Sequence, residues 1–171
     1  MGTNEKVTEF LRECMADAVI KLIQKKPVEK ITASEIAAEA GVGRATWFRN
    51  FNSKQEAITY KLVKLWERYA LEHDIKLWHQ YSLVNAREFF EFHYSIRELM
   101  TTIYRAGVQS AVYDAFYEIL RPQYGADAYE CYTSRFYSYG LFGLLVEWIK
   151  RDYHETPEEM TELFLGKVDK D

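Results

Sequence analysis

Residues 32–56, TASEIAAEAGVGRATWFRNFNSKQE, constrain local structure more than any other stretch of the chain. Thr32 and Glu35 stand three apart at the head of an apolar run. In that pattern a threonine hydroxyl and a glutamate carboxylate satisfy each other's backbone amides at a helix start. The helix so opened runs to Ala40, with Ile36, Ala37 and Ala40 on its inner side. Ala37 is small enough to let a second helix cross closely. Gly41 supplies a sharp turn, since positive φ costs glycine little, and Val42 fills the angle between the two helices. Gly43 to Asn50 reads as the second helix. At about 100° per residue Trp47 and Phe51 point the same way, into a core, which leaves Ala45, Thr46, Phe48 and Arg49 mostly outside. Ser53 and Glu56 repeat the capping pattern and restart a helix with Lys54 in its first turn.

Upstream, Val7, Phe10, Leu11, Cys14, Met15, Ala18 and Leu22 recur at helical spacing between charged residues, and Pro27 ends that helix. The net charge of -4 argues weakly against nucleic acid, but its distribution matters more. Residues 1–55 hold nine Lys/Arg against seven Asp/Glu, whereas the remainder holds thirteen against nineteen. All 13 tyrosines fall at or after Tyr60. A basic, tyrosine-free head and an acidic, tyrosine-rich body are built for different tasks.

On these residues, ITASEIAAEAGVGRATWFRNFNSKQEAI resembles the DNA-binding domain of the tetracycline repressor (TetR) family, over roughly residues 5–60. The resemblance joins the Ala37-to-Val42 turn, Thr46 with two aromatics after it, Phe51 and Ser53-Lys54 at fixed spacing. It implies a recognition helix from Gly43 to Asn50 in the major groove of a palindromic operator. Arg44 and Ala45 would lie nearest base edges, with Thr32, Ser34, Gly43, Thr46, Phe48, Arg49, Asn50 and Lys54 completing the contact set. The chemistry agrees. Arginine bonds bidentately to guanine O6 and N7, and alanine suits a thymine methyl. Lys54, Arg49 and the amides at Thr32 suit phosphates, which position without specifying. Phe48 departs from the family, which usually has tyrosine there, so a phosphate hydrogen bond gives way to an apolar contact or stacking. Asn50, where histidine is frequent, still donates.

The body reads as helix after helix, with no alternating strand pattern. One long helix carries Ile58, Leu62, Leu65, Trp66 and Tyr69 and links head to body. Ser95 and Glu98 form another capping pair, and Pro122 with Gly125 separates a helix ending near Leu120 from one starting near Asp127. The last helix has Thr156 as cap, Pro157 first, Glu159 closing the box and Gly166 as stop. Tyr139 to Ile149 is apolar almost all round, so it needs covering on more than one side. In the resembled family the last two long helices pair with their symmetry mates. That implies a homodimer interface of Gly140, Phe142, Gly143, Leu144, Trp148, Met160, Leu163 and Phe164. Trp66, Phe90, Tyr94, Tyr104, Tyr117 and Tyr137, with Trp78 and Tyr113, are the aromatics that suit a small-molecule effector pocket. The run GLFGLLVEWIKRDYHETPEEM resembles regulators of dihydroxyacetone kinase operons, some of which are activators with a protein partner.

The expected architecture is therefore all-α, of about nine helices: residues 1–56 a helix-turn-helix DNA-binding domain, residues 57–171 a helical dimerisation and effector-binding domain. The expected function is a DNA-binding regulator of repressor type, switched by an effector. The alternative is a protein of the same fold that regulates through protein contacts. An enzyme would need a constellation that is not there: no Gly-rich phosphate loop, no Gly-x-Ser-x-Gly, and His73, His79, His93 and His154 without partners at metal-ligand spacing. Cys14 and Cys131 signal neither a disulfide nor zinc. No cofactor or metal is expected. No segment reaches the roughly 18 apolar residues of a membrane span, and no leader precedes the first helix, so a cytoplasmic protein is expected.

Overall fold

The computed structural model describes residues 3–75, 85–122 and 125–165. Trp78, His79 and Gly166, named above, lie outside the described residues. Among the described residues there are nine α-helices and no strand: α1 (Thr3–Ile23), α2 (Ala33–Glu39), α3 (Arg44–Asn50), α4 (Lys54–Glu72), α5 (Ala86–Ser95), α6 (Arg97–Arg105), α7 (Ser110–Leu120), α8 (Ala128–Lys150) and α9 (Pro157–Leu165), with a 3-10 turn at Val28–Lys30 before α2. The chain is all-α, as expected.

The helices pack as two units. The first comprises residues up to Lys64 together with Thr102–Ala115, and the second comprises Leu65–Thr101 together with Phe116 onward. Helices α4, α6 and α7 each give residues to both.

In the first unit, Met15, Ala16 and Val19 of α1, Ile36 and Ala37 of α2, Trp47 of α3, Phe51, and Ala57 and Ile58 of α4 are buried together as a core. Not all the apolar periodicity of α1 is spent inward. Val7 and Phe10 remain 51% and 66% exposed, because they lie in the helix's early turns while its buried residues begin at Met15. Polar contacts hold α4 to its neighbours. Lys61 reaches Asp17 at 2.7 Å, Lys64 reaches Glu9 at 2.7 Å, and the Arg12 guanidinium lies 4.9 Å from the Phe51 ring and 4.2 Å from the Tyr60 ring. The Thr59 hydroxyl donates to the Ala111 carbonyl at 3.2 Å, and the Gln55 amide to Asp114 Oδ2 at 2.6 Å.

The second unit is built on rings. Phe90 meets Trp148 edge-on at 5.7 Å, Trp148 lies 4.9 Å from Tyr153, and the Trp148 indole donates to the Glu155 carbonyl at 3.0 Å. Helix α8 buries Ser134, Ser138, Leu145 and Trp148, and the two serine hydroxyls are satisfied by the carbonyls of Leu120 and Ser134. Asp127 and Glu130 cap its start reciprocally. At its end, the Asp152 N–H bonds the Ile149 carbonyl and the Tyr153 N–H the Trp148 carbonyl, the closing pattern that usually employs glycine. Here Asp152 and Tyr153 take it, at φ 55° and 52°. Thr156 and Glu159 then form the expected capping box of α9. Ser95 behaves differently from expectation. It ends α5, donating its hydroxyl to the Phe92 carbonyl at 2.6 Å, and the chain turns at Ile96 before α6 begins.

Candidate nucleic-acid interface

Three local devices shape the outer surface of the first unit. At the start of α2, the Thr32 hydroxyl accepts the Glu35 N–H at 3.3 Å, while Glu35 Oε2 accepts the Thr32 N–H and hydroxyl, both at 2.9 Å. Lys26 holds the other carboxylate oxygen. The Lys26 and Thr32 hydrogen bonds bring the Glu35 carboxyl down to about 2, so the box stays ionised at any ordinary pH. The amide of Thr32 is thus already taken.

Helix α2 ends where the Gly41 N–H bonds the Ala38 carbonyl at 3.2 Å and the Val42 N–H bonds the Ala37 carbonyl at 2.9 Å. Gly41 sits at φ +66° with nothing within 4 Å of where a Cβ would stand, so the demand for glycine is conformational rather than steric. Helix α3 follows after extended Gly43, whose carbonyl accepts the Thr46 N–H at 2.8 Å.

The roll of α3 about its own axis is set by Trp47 and Phe51. They are 4% and 1% exposed, with ring centroids 5.4 Å apart. Burying that pair turns Arg44, Ala45, Phe48 and Arg49 outward, all exposed, with Thr46 and Asn50 half-buried beside them. The outward side chains are partly organised already. Arg49 donates to the Thr46 hydroxyl at 3.2 Å, and the Asn50 amide to the Thr46 carbonyl at 2.8 Å. The Arg44 guanidinium lies 5.4 Å from the Phe48 ring, which is 57% exposed.

Lys54 lies where its long stem crosses to the start of α2. Its ammonium donates to the carbonyls of Val28 at 2.6 Å and Ile31 at 2.9 Å, which leaves a single N–H for anything else. Thr32, the next residue after Ile31, and Ser34 are both exposed there. The structure therefore gathers Arg44, Ala45, Phe48 and Arg49 on one helix face and Lys54 with Thr32 at the start of α2. The clasp by Lys54 was not legible, because its acceptors lie 23 and 26 residues upstream.

In the second unit the expected interface residues separate. Trp148 and Met160 are 1% and 6% exposed and belong to the unit's own core. Neither presents surface to a partner: the α8 face carrying Trp148 is turned inward with Leu145, and Met160 is buried from α9. Gly140, Gly143, Leu163 and Phe164 are exposed, and Phe142 and Leu144 half-buried. Sequence reasoning missed Tyr129, Tyr132, Phe136 and Tyr139, exposed by 76%, 76%, 75% and 61%. With Gly143 and Glu147 they repeat every three or four residues down one side of α8, a signal present in the sequence but masked by the apolar residues around it.

The aromatics named for an effector have different immediate neighbours. Phe90 and Tyr94 both pack on Trp148; Trp66 packs on Phe92 at 5.2 Å; Tyr117 lies 3.3 Å under the Arg135 guanidinium; Tyr137 meets Phe136 at 5.7 Å. Tyr104 and Tyr113 belong to the other unit. Residue type alone carries no direction, so these neighbours were not legible in the sequence. Among the described residues no group of three or more His, Cys, Asp or Glu is placed to hold a metal ion, and no helix is long and apolar enough to cross a membrane.

Two family models match this chain. The model for bacterial regulatory proteins of the tetR family matches residues 16–57, which span the end of α1, the turn and α3. The model for a transcriptional regulator C-terminal region matches residues 83–169, half of the 171-residue chain. No curated protein matches. Both descriptions are those of transcription factors rather than enzymes, and the first falls on the segment whose outward helix face carries Arg44, Phe48 and Arg49. The chain is a member of the tetR family of bacterial regulatory proteins, a DNA-binding transcriptional regulator with an N-terminal helix-turn-helix and a helical C-terminal domain.

Proposed function

We propose that two copies of the chain, paired through α8 and α9, place their α3 helices in successive major grooves of a palindromic operator, and that a small molecule bound in the body switches this binding. Residues 1–56 are the DNA-binding part and 57–171 the dimerising and effector-binding part. The observation that carries the reading is the roll of α3: Trp47 and Phe51 are buried, so Arg44, Ala45, Phe48 and Arg49 face outward as one row. A helix of that character fits the major groove, with Arg44 and Ala45 at base edges and Thr46, Arg49, Asn50, Thr32, Ser34 and Lys54 toward the backbone.

Pairing is supported by the row from Tyr129 to Glu147, about 27 Å of helix at 1.5 Å per residue, with Gly140 and Gly143 where two backbones can approach and Leu163 and Phe164 exposed on α9. Two-fold pairing sets the half-sites about 34 Å apart, one turn of DNA. Support for an effector comes from the Trp66 indole N–H, which is buried beside Phe92 and Tyr69 and has no hydrogen-bond acceptor among the described residues. A buried N–H without an acceptor is costly and suits a ligand that brings one. On this reading the chain acts in the cytoplasm, and the run GLFGLLVEWIKRDYHETPEEM resembles regulators of dihydroxyacetone kinase operons.

Selection of bound duplexes from a random pool tests the reading. The expected result is an enriched palindrome with half-sites one helical turn apart. Enrichment of no sequence, with no salt-dependent binding, would favour the other reading, a regulator acting through protein contacts.

A further inference from the structure

On the reading that α3 faces DNA, the geometry points to Arg44 and Phe48 acting as one reading unit, so that each operator half-site carries a guanine next to a thymine. The two residues are one helical turn apart and therefore on the same side of α3. The Arg44 guanidinium centre lies 5.4 Å from the Phe48 ring, and no hydrogen bond ties Arg44 to another described residue. Arg49 and Asn50, by contrast, spend donors on Thr46. A guanidinium attracted to an aromatic face keeps its N–H edges available, and those edges fit two acceptors side by side.

In the major groove guanine presents O6 and N7 in that arrangement, whereas adenine pairs an acceptor with a donor. A phosphate also offers two oxygens, and Phe48 decides between them. Phe48 is 57% exposed and carries no hydroxyl, so it gives a charged backbone nothing and stays wet against it. The C5-methyl of a thymine beside the guanine covers the ring and releases that water. Phe48 thus does two things at once: it restricts the guanidinium to a bidentate pose and reads the methyl itself. It is a specificity-determining residue where a tyrosine would have been a backbone anchor.

The test uses the full chain and a duplex it selects, with each guanine replaced in turn by 7-deazaguanine, which lacks the N7 acceptor, and each thymine by uracil, which lacks the methyl. For the unmodified protein, one guanine per half-site is expected to cost about tenfold in affinity when deaza-substituted. A neighbouring thymine is expected to cost about fourfold when its methyl is removed. Arg44→Ala should lose the first penalty, Phe48→Ala should lose the second and diminish the first, and Phe48→Leu should keep the methyl penalty while diminishing the N7 penalty. Phe48 is exposed, so these variants are expected to keep the circular dichroism and melting temperature of the unmodified chain. The proposal is overturned if Phe48→Ala leaves both penalties unchanged, or if no single guanine matters while the selected sequence is still preferred; the second outcome leaves DNA reading by α3 standing. If no duplex is preferred at all, the reading beneath the proposal fails with it.

Discussion

His93 shows how far one residue's chemistry depends on where helix register sends it. Its ring is packed among Phe89, Phe92 and Phe116, with Nδ1 donating to the Phe89 carbonyl at 2.8 Å. Burial brings its pKa down to about 4 against that one favourable hydrogen bond. The folded protein therefore holds His93 neutral while the unfolded chain protonates near 6.5. Its contribution to stability is whole above about pH 6.5 and is lost as pH falls toward 4, by about 3 kcal/mol in all. Urea unfolding of His93→Leu from pH 7 to pH 4 should show that part of the slope removed; an unchanged slope would assign it elsewhere. Tyr153 is the opposite case, a side chain the fold tolerates at a cost. Its backbone is left-handed, its hydroxyl is buried without a hydrogen-bond partner among the described residues, and burial pushes its pKa up. Tyr153→Phe is expected to raise stability by about 1 kcal/mol, and Asp152→Gly by a similar amount at the same helix end, both read from denaturant midpoints. Lys54 was expected from the sequence to bind phosphate. The structure spends two of its three donors on Val28 and Ile31. Lys54→Met should therefore cost the free protein about 1 kcal/mol of stability and weaken binding to every DNA sequence alike.

At the scale of elements, what was legible in the sequence is what neighbouring residues decide among themselves. The Thr32–Glu35 and Thr156–Glu159 boxes and the turn at Gly41 involve partners within five positions, and they appear in the structure as the spacing predicts. Ser53 and Glu56 obey only in part: the Ser53 hydroxyl caps the Glu56 N–H, but the Glu56 carboxylate turns to Asn52. The choice of buried face was legible in α3, where two large rings leave one solution, and not in α8, where almost every side is apolar. There the unit's own core takes Leu145 and Trp148 and leaves outside the Tyr129, Tyr132, Phe136, Tyr139 row. Composition could not make that division, because it depends on which other helices the chain brings to α8. Thr32→Ala removes one half of a capping box and is expected to destabilise the first unit by about 1 kcal/mol, measurable as a lower melting temperature.

For the whole molecule, the proposal of a two-fold dimer turns on the α8 row. Phe136 is 75% exposed, so Phe136→Glu leaves the chain's own core intact while placing two carboxylates face to face across a two-fold axis. Light scattering should find the unmodified chain dimeric at micromolar concentration and this variant dissociating at least about tenfold more readily, with an unchanged circular dichroism spectrum. A dimer indifferent to the substitution would place the interface elsewhere. On that proposal dimerisation and DNA reading are linked, because two half-sites bound together by one dimer would give far higher affinity than either alone. The central claim nonetheless rests on α3, whose outward row is fixed by the burial of Trp47 and Phe51. Its most direct test is fluorescence anisotropy of the full chain and of Arg44→Ala on a selected duplex and on a scrambled one. The account predicts that Arg44→Ala loses at least about tenfold on the selected duplex while its weak, salt-dependent binding to the scrambled duplex is little altered. Equal affinities of the two proteins for the selected sequence would contradict it.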